Sequence, residues 1–315
     1  MREQEEPSGA LDVAVIIVSW NVREYLADCL RSVCNDLEYS RLHGDIWVVD
    51  NASTDGTVAL VQDLFPHVKV IANETNVGFA VANNQGMEAA SASRPRYYFL
   101  LNPDTFIRPG ATRELVDCLD ERPDAGIAGA RLIYGDGRFQ HSAFYFPGIS
   151  QLMFDLMPMP SRLYDSRLNG RYARRLYQPR RDPFKVDHPL GATLMVRADV
   201  AESTQGFDES FHMFCEEIDW SWRVRDAGWD IYTVPSAEVI HYGGESTRQV
   251  PADSVVNLWR SRAQLYHKHH GRLRNALAAT LVKRAMTHKA ARANDPELSQ
   301  AYHQVATIWS SNGSS

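Results

Sequence analysis

Over the first third of the chain, short apolar runs alternate with stretches of helical spacing. Val13-Ala14-Val15-Ile16-Ile17-Val18 has no polar residue at alternate positions, the pattern of a strand buried on both faces of a parallel sheet. Tyr25, Leu26, Cys29, Leu30 and Val33 follow at helical intervals. Ile46-Trp47-Val48-Val49-Asp50 repeats the strand pattern, and the polar loop Asn51-Ala52-Ser53-Thr54-Asp55-Gly56 leads into a helix over Thr57 to Phe65. Val68 to Ala72 predicts a third strand, and Asn76-Val77-Gly78-Phe79-Ala80 opens a helix running through Gly86 and Ala90. Arg96-Tyr97-Tyr98-Phe99-Leu100-Leu101 supplies the fourth strand. This alternation predicts an α/β fold, a doubly wound and mainly parallel central sheet with helices on both faces. Ligands collect at the carboxyl ends of strands in such sheets, and Ser19, Asp50, Asn76 and Asp104 fall at those ends or just beyond.

The second half is less regular. Ala125 to Tyr134 reads as a strand, Gly135-Asp136-Gly137 as a tight turn, and Phe139 to Phe146 as the partner strand. Residues 149–185 form an irregular insert, rich in methionine, proline and arginine, of the kind that covers a site or holds an acceptor. Val186 to Val196 returns to strand character, with Gly191 allowing close approach to a ligand. Glu216, Glu217 and Asp219 then crowd the start of an amphipathic helix through Ala227, more acid than capping of a helix N-terminus needs. One of the three could serve as a general base. Asp230 to Pro235 is a further strand, Ala237 to His241 ends an apolar run on a histidine, and Gly243 to Thr247 reads as a flexible loop. Asp253 to Gly271 is helical and carries His267-Lys268-His269-His270, a second helix runs to about Lys289, and residues after Asp295 carry little signal.

Composition narrows the class. The net charge is −6 over 315 residues, which argues against wholesale nucleic-acid binding. Four cysteines without a Cys-x-x-Cys pair point to a reducing cytoplasm rather than a disulfide scaffold. Residues 1–10 read as a disordered polar leader, and no apolar run is long enough to span a bilayer. Peripheral contact with the inner face of a membrane, through the histidine and lysine cluster, stays open beside an ordinary surface helix, as does an oligomer. The turn after the first strand, Ser19-Trp20-Asn21-Val22-Arg23, lacks the glycines of a dinucleotide fingerprint, and no Walker loop is present. Asn102-Pro103-Asp104 places a carboxylate past a strand end, where Mg²⁺ or Mn²⁺ with substrate phosphates needs few protein ligands. His241 would join it if the fold brought the two together.

These pieces, in this order, resemble the inverting family 2 glycosyltransferases of the GT-A fold, a Rossmann-like sheet followed here by C-terminal helices. The resemblance runs from about Val13 to about His270. It rests on Val15 to Asn21, Val48 to Gly56, Asn76 to Ala80, Asn102 to Asp104, Gly206 to Glu209, and Glu216 to Asp219 with Arg223. It implies a metal-dependent enzyme using a nucleoside diphosphate sugar as donor and a saccharide or lipid-linked acceptor. Ser19, Trp20, Asn21, Asp50, Ser53, Asn76, Gly78 and Asn102 would contact the nucleotide, while Asp104 with His241 would hold Mg²⁺ or Mn²⁺. Glu217 falls on the usual base position, one methylene longer than the usual aspartate, with Glu216 and Asp219 as alternatives. The implied domains are a catalytic unit over 11–250, comprising a nucleotide-binding half (11–123) and an acceptor half (124–250), and a helical segment over 251–315. The Asn-Pro-Asp form resembles bacterial rhamnosyltransferases of cell-wall, O-antigen or lipid-linked glycans, which makes dTDP-rhamnose the expected donor. UDP-hexose or UDP-galactofuranose transfer is the alternative, and a non-catalytic nucleotide-sugar-binding protein is the alternative from another class.

Overall fold

β1 (Val13–Ser19), α1 (Arg23–Ser40), β2 (Gly44–Asp50), α2 (Thr57–Leu64), β3 (Lys69–Ala72), α3 (Phe79–Ser91) and β4 (Tyr97–Leu101) alternate as the apolar spacing predicts. They belong to a computed structural model that describes residues 11–243, 249 and 251–311. The leader expected over residues 1–10 and most of the loop expected past Gly243 lie outside the described residues. β3, β2, β1 and β4 lie side by side, all parallel.

After β4 come β5 (Thr105–Ile107), α4 (Ala111–Glu121), β6 (Ala125–Ile133), β7 (Phe139–Gln140), β8 (Ala143–Phe144) and α5 (Ile149–Leu156). Three short 3-10 turns lead to β9 (Phe184–Lys185), β10 (His188–Pro189), β11 (Thr193–Arg197), α6 (Ala198–Ser203), α7 (Glu216–Asp226) and β12 (Asp230–His241). The helices α8 (Pro251–His269), α9 (Arg272–Arg292) and α10 (Pro296–Ser311) follow. β11 inserts antiparallel between β4 and β6, β12 lies parallel to β6, and β5 closes the edge antiparallel to β12. Alternation along β1 explains its unbroken apolar run. Val13, Val15 and Ile17 join Leu26, Leu30, Leu115 and Leu119 on one face, while Ala14 and Ile16 join Ala80, Met87, Trp220 and Val224 on the other.

Several readings of the second half need correction. The strand expected over Phe139 to Phe146 pairs with β6 only through β7, and β8 turns away to pair with β10 in a separate small sheet. Polar partners divert it: His141 hydrogen-bonds Asp165 across 3.1 Å, and the Ser142 carbonyl accepts from Leu190 N–H at 2.8 Å. The strand expected over Val186 to Val196 is broken between β10 and β11, because Pro189 has no N–H to give and Gly191 turns the chain. The insert holds a true helix, α5, whose Leu152 and Leu156 pack with Val282 and Met286 of α9. Pro235 shifts the β12 register without ending the strand. α10, beyond the last segment with a readable pattern, buries Val305 and Trp309 in the same helical core. Among the described residues, no helix is long and apolar enough to cross a membrane.

Candidate active site

The carboxyl ends of β1 and β2 are in register, Ser19 opposite Asp50, and the loops beyond them are tied together. Asp50 Oδ2 accepts from Ser53 N–H (2.9 Å), Ser53 Oγ from Asn21 N–H (2.9 Å), and Asn21 Oδ1 from Thr54 N–H (2.8 Å). Ser19 Oγ and Asp50 Oδ1 are buried without a hydrogen-bond partner among the described residues, so a polar ligand has two groups to meet there. Gly78 caps α3 at φ 90°, and a Cβ there would lie 2.5 Å from the His212 carbonyl, so only glycine fits. Asn76 Oδ1 fixes this turn by accepting from Gly78 N–H at 3.0 Å.

Asp104 and His241 meet through β5. That three-residue strand pairs Thr105 with His241, and Tyr242 N–H donates to the Asp104 carbonyl at 3.0 Å. His241 Nε2 then lies 3.4 Å from Asp104 Oδ1, with both side chains less than one-tenth exposed. The other ring nitrogen, Nδ1, faces the Gln140 side-chain amide at 3.0 Å and 3.3 Å from its nitrogen and oxygen. An amide turned oxygen-first would fix the tautomer that leaves Nε2 a bare lone pair. Nε2 has no hydrogen-bond partner among the described residues. A carboxylate and an imidazole converging in a buried spot fit a divalent cation that takes its remaining ligands from phosphate and water. No group of three or more potential metal-ligating His, Cys, Asp or Glu side chains occurs among the described residues.

The acidic cluster divides. α7 is entered through Phe214 and Cys215, both left-handed at φ 69° and 67°, a strained entry of the kind that concentrates at functional sites. It turns Glu216 and Glu217 onto the cleft wall. The Glu217 side chain passes so close to Gly191 that an added Cβ there would lie 3.3 Å from Glu217 Cγ. Burial raises the Glu217 carboxyl to about 7, and burial together with the neighbouring Glu217 charge pushes Glu216 well above the usual range. Glu216 Oε2 has no hydrogen-bond partner among the described residues. Asp219 points elsewhere. Burial works against its charge, but hydrogen bonds from His269 (2.7 Å), Lys268 (3.0 Å) and Arg223 (2.9 Å) hold it down at about 2. It anchors α8 to α7 and does not line the cleft.

The cleft has a volume of about 540 Å³. Of the residues expected from sequence, Trp20, Asn76, Asn102, Asp104, Glu216, Glu217 and His241 line it. Ser19, Asp50, Ser53 and Gly78 do not line it but lie in strand ends and turns next in sequence to residues that do, and Asn21 lines a separate pocket with Arg23 and Asp55. Further residues complete the wall: Asn51 and Phe79 beside the nucleotide-side turns, Arg171 from the arginine-rich insert, and Arg262, Leu265 and Tyr266 from α8. Tyr266 is buried, with its hydroxyl unpartnered among the described residues. The sequence reads Asp253 to Gly271 as a helix, but nothing local says that its Leu265 and Tyr266 cover a cleft. His188, its ring kept neutral by burial that lowers it to about 4, stacks between Phe144 (5.5 Å) and Phe146 (6.1 Å). Phe146 continues the stack to Trp222 (4.0 Å) and His269 (4.4 Å from Trp222). Within the histidine and lysine cluster, Lys268 and His269 meet Asp219 and His270 donates to the Pro147 carbonyl at 2.9 Å, while His267 and Lys268 keep exposed surface.

The sheet thus sets Asp104 in a strand-end turn on the wall of a cleft that also carries Glu216 and Glu217 of α7. The chain belongs to glycosyl transferase family 2, whose family model matches residues 14–186. The N-acetylglucosaminyl-diphospho-decaprenol L-rhamnosyltransferase of Mycobacterium tuberculosis is 30% identical over 247 residues, covering 75% of this chain and 79% of the relative. Among solved structures, S. aureus TarS 1-349 superposes with a TM-score of 0.53 at 13% identity, covering 96% of this chain and 92% of that one. Its complex with UDP gives a TM-score of 0.52 at 14% identity, covering 96% and 90%. These superpositions carry the fold, which is GT-A.

Proposed function

We propose that the chain is an inverting rhamnosyltransferase that moves rhamnose from dTDP-rhamnose to a hydroxyl of a lipid-linked saccharide. The observation that carries this reading is the Asp104–His241 pair, 3.4 Å apart, in the cleft that also holds Glu217. The sugar and acceptor rest on the mycobacterial relative, whose name states rhamnosyl transfer to a lipid-linked N-acetylglucosaminyl diphosphate. Asp50 and Ser19 hold the nucleoside from behind, and Trp20, Asn76 and Asn102 position it from the cleft wall. Asp104 and His241 would hold Mg²⁺ or Mn²⁺, which when bound offsets the charge on the departing diphosphate. Glu217 accepts the acceptor hydroxyl proton as that oxygen bonds to the anomeric carbon. The bond from the same carbon to the diphosphate oxygen breaks on the opposite face, and the nucleoside diphosphate leaves with its electron pair. Attack from the opposite face inverts the anomeric centre. A buried carboxylate with a raised pKa is a stronger base than a solvated one, which suits Glu217 to the task.

A thermal-shift panel of dTDP-rhamnose, UDP-hexoses and UDP-galactofuranose, run with Mg²⁺ and with EDTA, tests donor and cation together. Stabilisation by dTDP-rhamnose that EDTA abolishes is expected. Stabilisation by a UDP-sugar alone moves the reading to the alternative donors, and none with any donor sinks it. NMR of the product anomer then separates inversion from retention, and metal-dependent binding without turnover would leave a nucleotide-sugar-binding protein.

A further inference from the structure

The packing of the C-terminal helices leaves one side of α9 unused. Its inward side, Ala278, Val282 and Met286, is buried among residues of α5, α8 and α10. On the outward side Leu273 is 89% exposed and Leu277, one turn on, is 49% exposed. Arg284 continues the same stripe at helical spacing. The helix carries Arg272, Arg274, Lys283, Arg284 and Arg292, all exposed, and the half-buried Lys289, and neither Asp nor Glu. In a chain of net charge −6 this is a local reversal of sign. Solvated helical faces ordinarily mix the two signs, and single exposed leucines are unremarkable. Two leucines one turn apart in a helix of unopposed cations form a different surface, apolar at the centre and basic at its flanks.

We propose that the outward face of α9 docks on an anionic lipid surface, with Leu273 and Leu277 entering the headgroup boundary and the flanking arginines and lysines meeting lipid phosphates. Charge complementarity selects this occupant, since long basic side chains can lay their stems along the acyl boundary while their heads reach phosphate. The helix that bears this face is separated from the cleft by α5 alone. α9 packs on α5, Lys289 Nζ reaches the Asp155 carbonyl at 3.4 Å, and Leu152 and Asp155 of α5 line the cleft. Docking there would hold the α5 wall near the bilayer from which a lipid-linked acceptor arrives. That last consequence rests on the proposed function, whereas the docking does not.

The test is co-sedimentation of the full chain with vesicles of phosphatidylcholine alone and of phosphatidylcholine mixed with phosphatidylglycerol, at low and high salt. Binding to the phosphatidylglycerol vesicles, weakened by salt, is expected. L273D/L277D and R274E/R284E should each reduce it by about tenfold or more, with unchanged circular dichroism and melting because the altered side chains are exposed. Equal binding to both vesicle types, no binding by the unaltered chain, or undiminished binding by both variants overturns the proposal. So does light scattering that shows a dimer dissociated by L273D/L277D without vesicle binding, since the face would then belong to a second copy. Donor thermal shifts on the same samples keep the two readings apart: vesicle binding can fail while donor binding persists, and the reverse.

Discussion

Glu216 and Glu217 show how adjacent residues of like chemistry take different parts. Consecutive positions on a helix point about 100° apart, so the two carboxyls reach different surroundings although both touch the cleft. Glu217 lies along Gly191, half-buried, whereas Glu216 is 6% exposed and holds its proton more tightly. A general base must be ionised, so kcat is expected to climb with pH through about 7 and level off above it; a profile flat across that value would take the role from Glu217. Glu217→Gln should lower kcat by about 10²–10⁴ while leaving donor affinity, read by calorimetry, nearly unchanged. Asp104 and Asn102 separate in the same way. Asp104→Ala removes one of the two cation ligands and should abolish the EDTA-sensitive part of donor binding. Asn102→Ala removes a neutral amide and should only weaken it, because Asn102 N–H still donates to the Ala192 carbonyl at 3.0 Å. Equal losses in the two variants would contradict the assignment of Asp104 as ligand.

At the scale of elements, the junction of α7 with α8 makes a pH-dependent contribution whose sign follows from Asp219. Its carboxyl is lowered from 3.8 to about 2, so the stabilisation is present above pH 4 and is lost as pH falls through about 2. The shift corresponds to about 2 kcal/mol for this fully buried group. Asp219→Asn should therefore lower the melting temperature near neutral pH, and the difference from the unaltered chain should shrink as acid protonates Asp219; a difference constant down to pH 2 would assign the effect to packing. The same junction shows what a sequence can and cannot convey. β1 to β4 were legible because a strand covered on both faces must be apolar throughout, and strand ends in such a sheet mark the ligand side. β5 was not, since three residues of Thr-Phe-Ile carry no period, yet β5 is what brings His241 to Asp104. The acidic run at 216–219 was legible as chemistry, but its division was not. Lys268 and His269, which hydrogen-bond Asp219, arrive from a helix whose placement no local pattern encodes. α5 was hidden in a segment whose methionines and prolines read as irregular, and its partner surface lies far along the chain on α9.

The whole molecule places its cleft between parts that the sequence reading divided at residue 250. Leu265 of α8 packs with Phe211 and Cys215, next to the strained entry of α7, and Tyr266 and Arg262 stand in the cleft wall itself. Arg262 pairs with Asp155 of α5 at 2.9 Å, and Trp309 of α10 donates to the Trp259 carbonyl at 2.9 Å, so the insert and all three C-terminal helices brace one side of the site. A chain ended after residue 250 would expose Phe211 and Cys215 and leave the buried Asp219 with one of its three side-chain hydrogen-bond donors, Arg223. Removing partners from a buried charge destabilises the fold, and the loss of apolar burial adds to it. The truncated chain is expected to melt well below the full one and to lose transfer. Its β1–β4 half, whose two core clusters contain no residue of α8, α9 or α10, should keep the amide protection that hydrogen exchange measures. Were the truncated chain to match the full one in melting temperature and turnover, the C-terminal helices would be an appendage, and Tyr266 and Arg262 would have no place in the site.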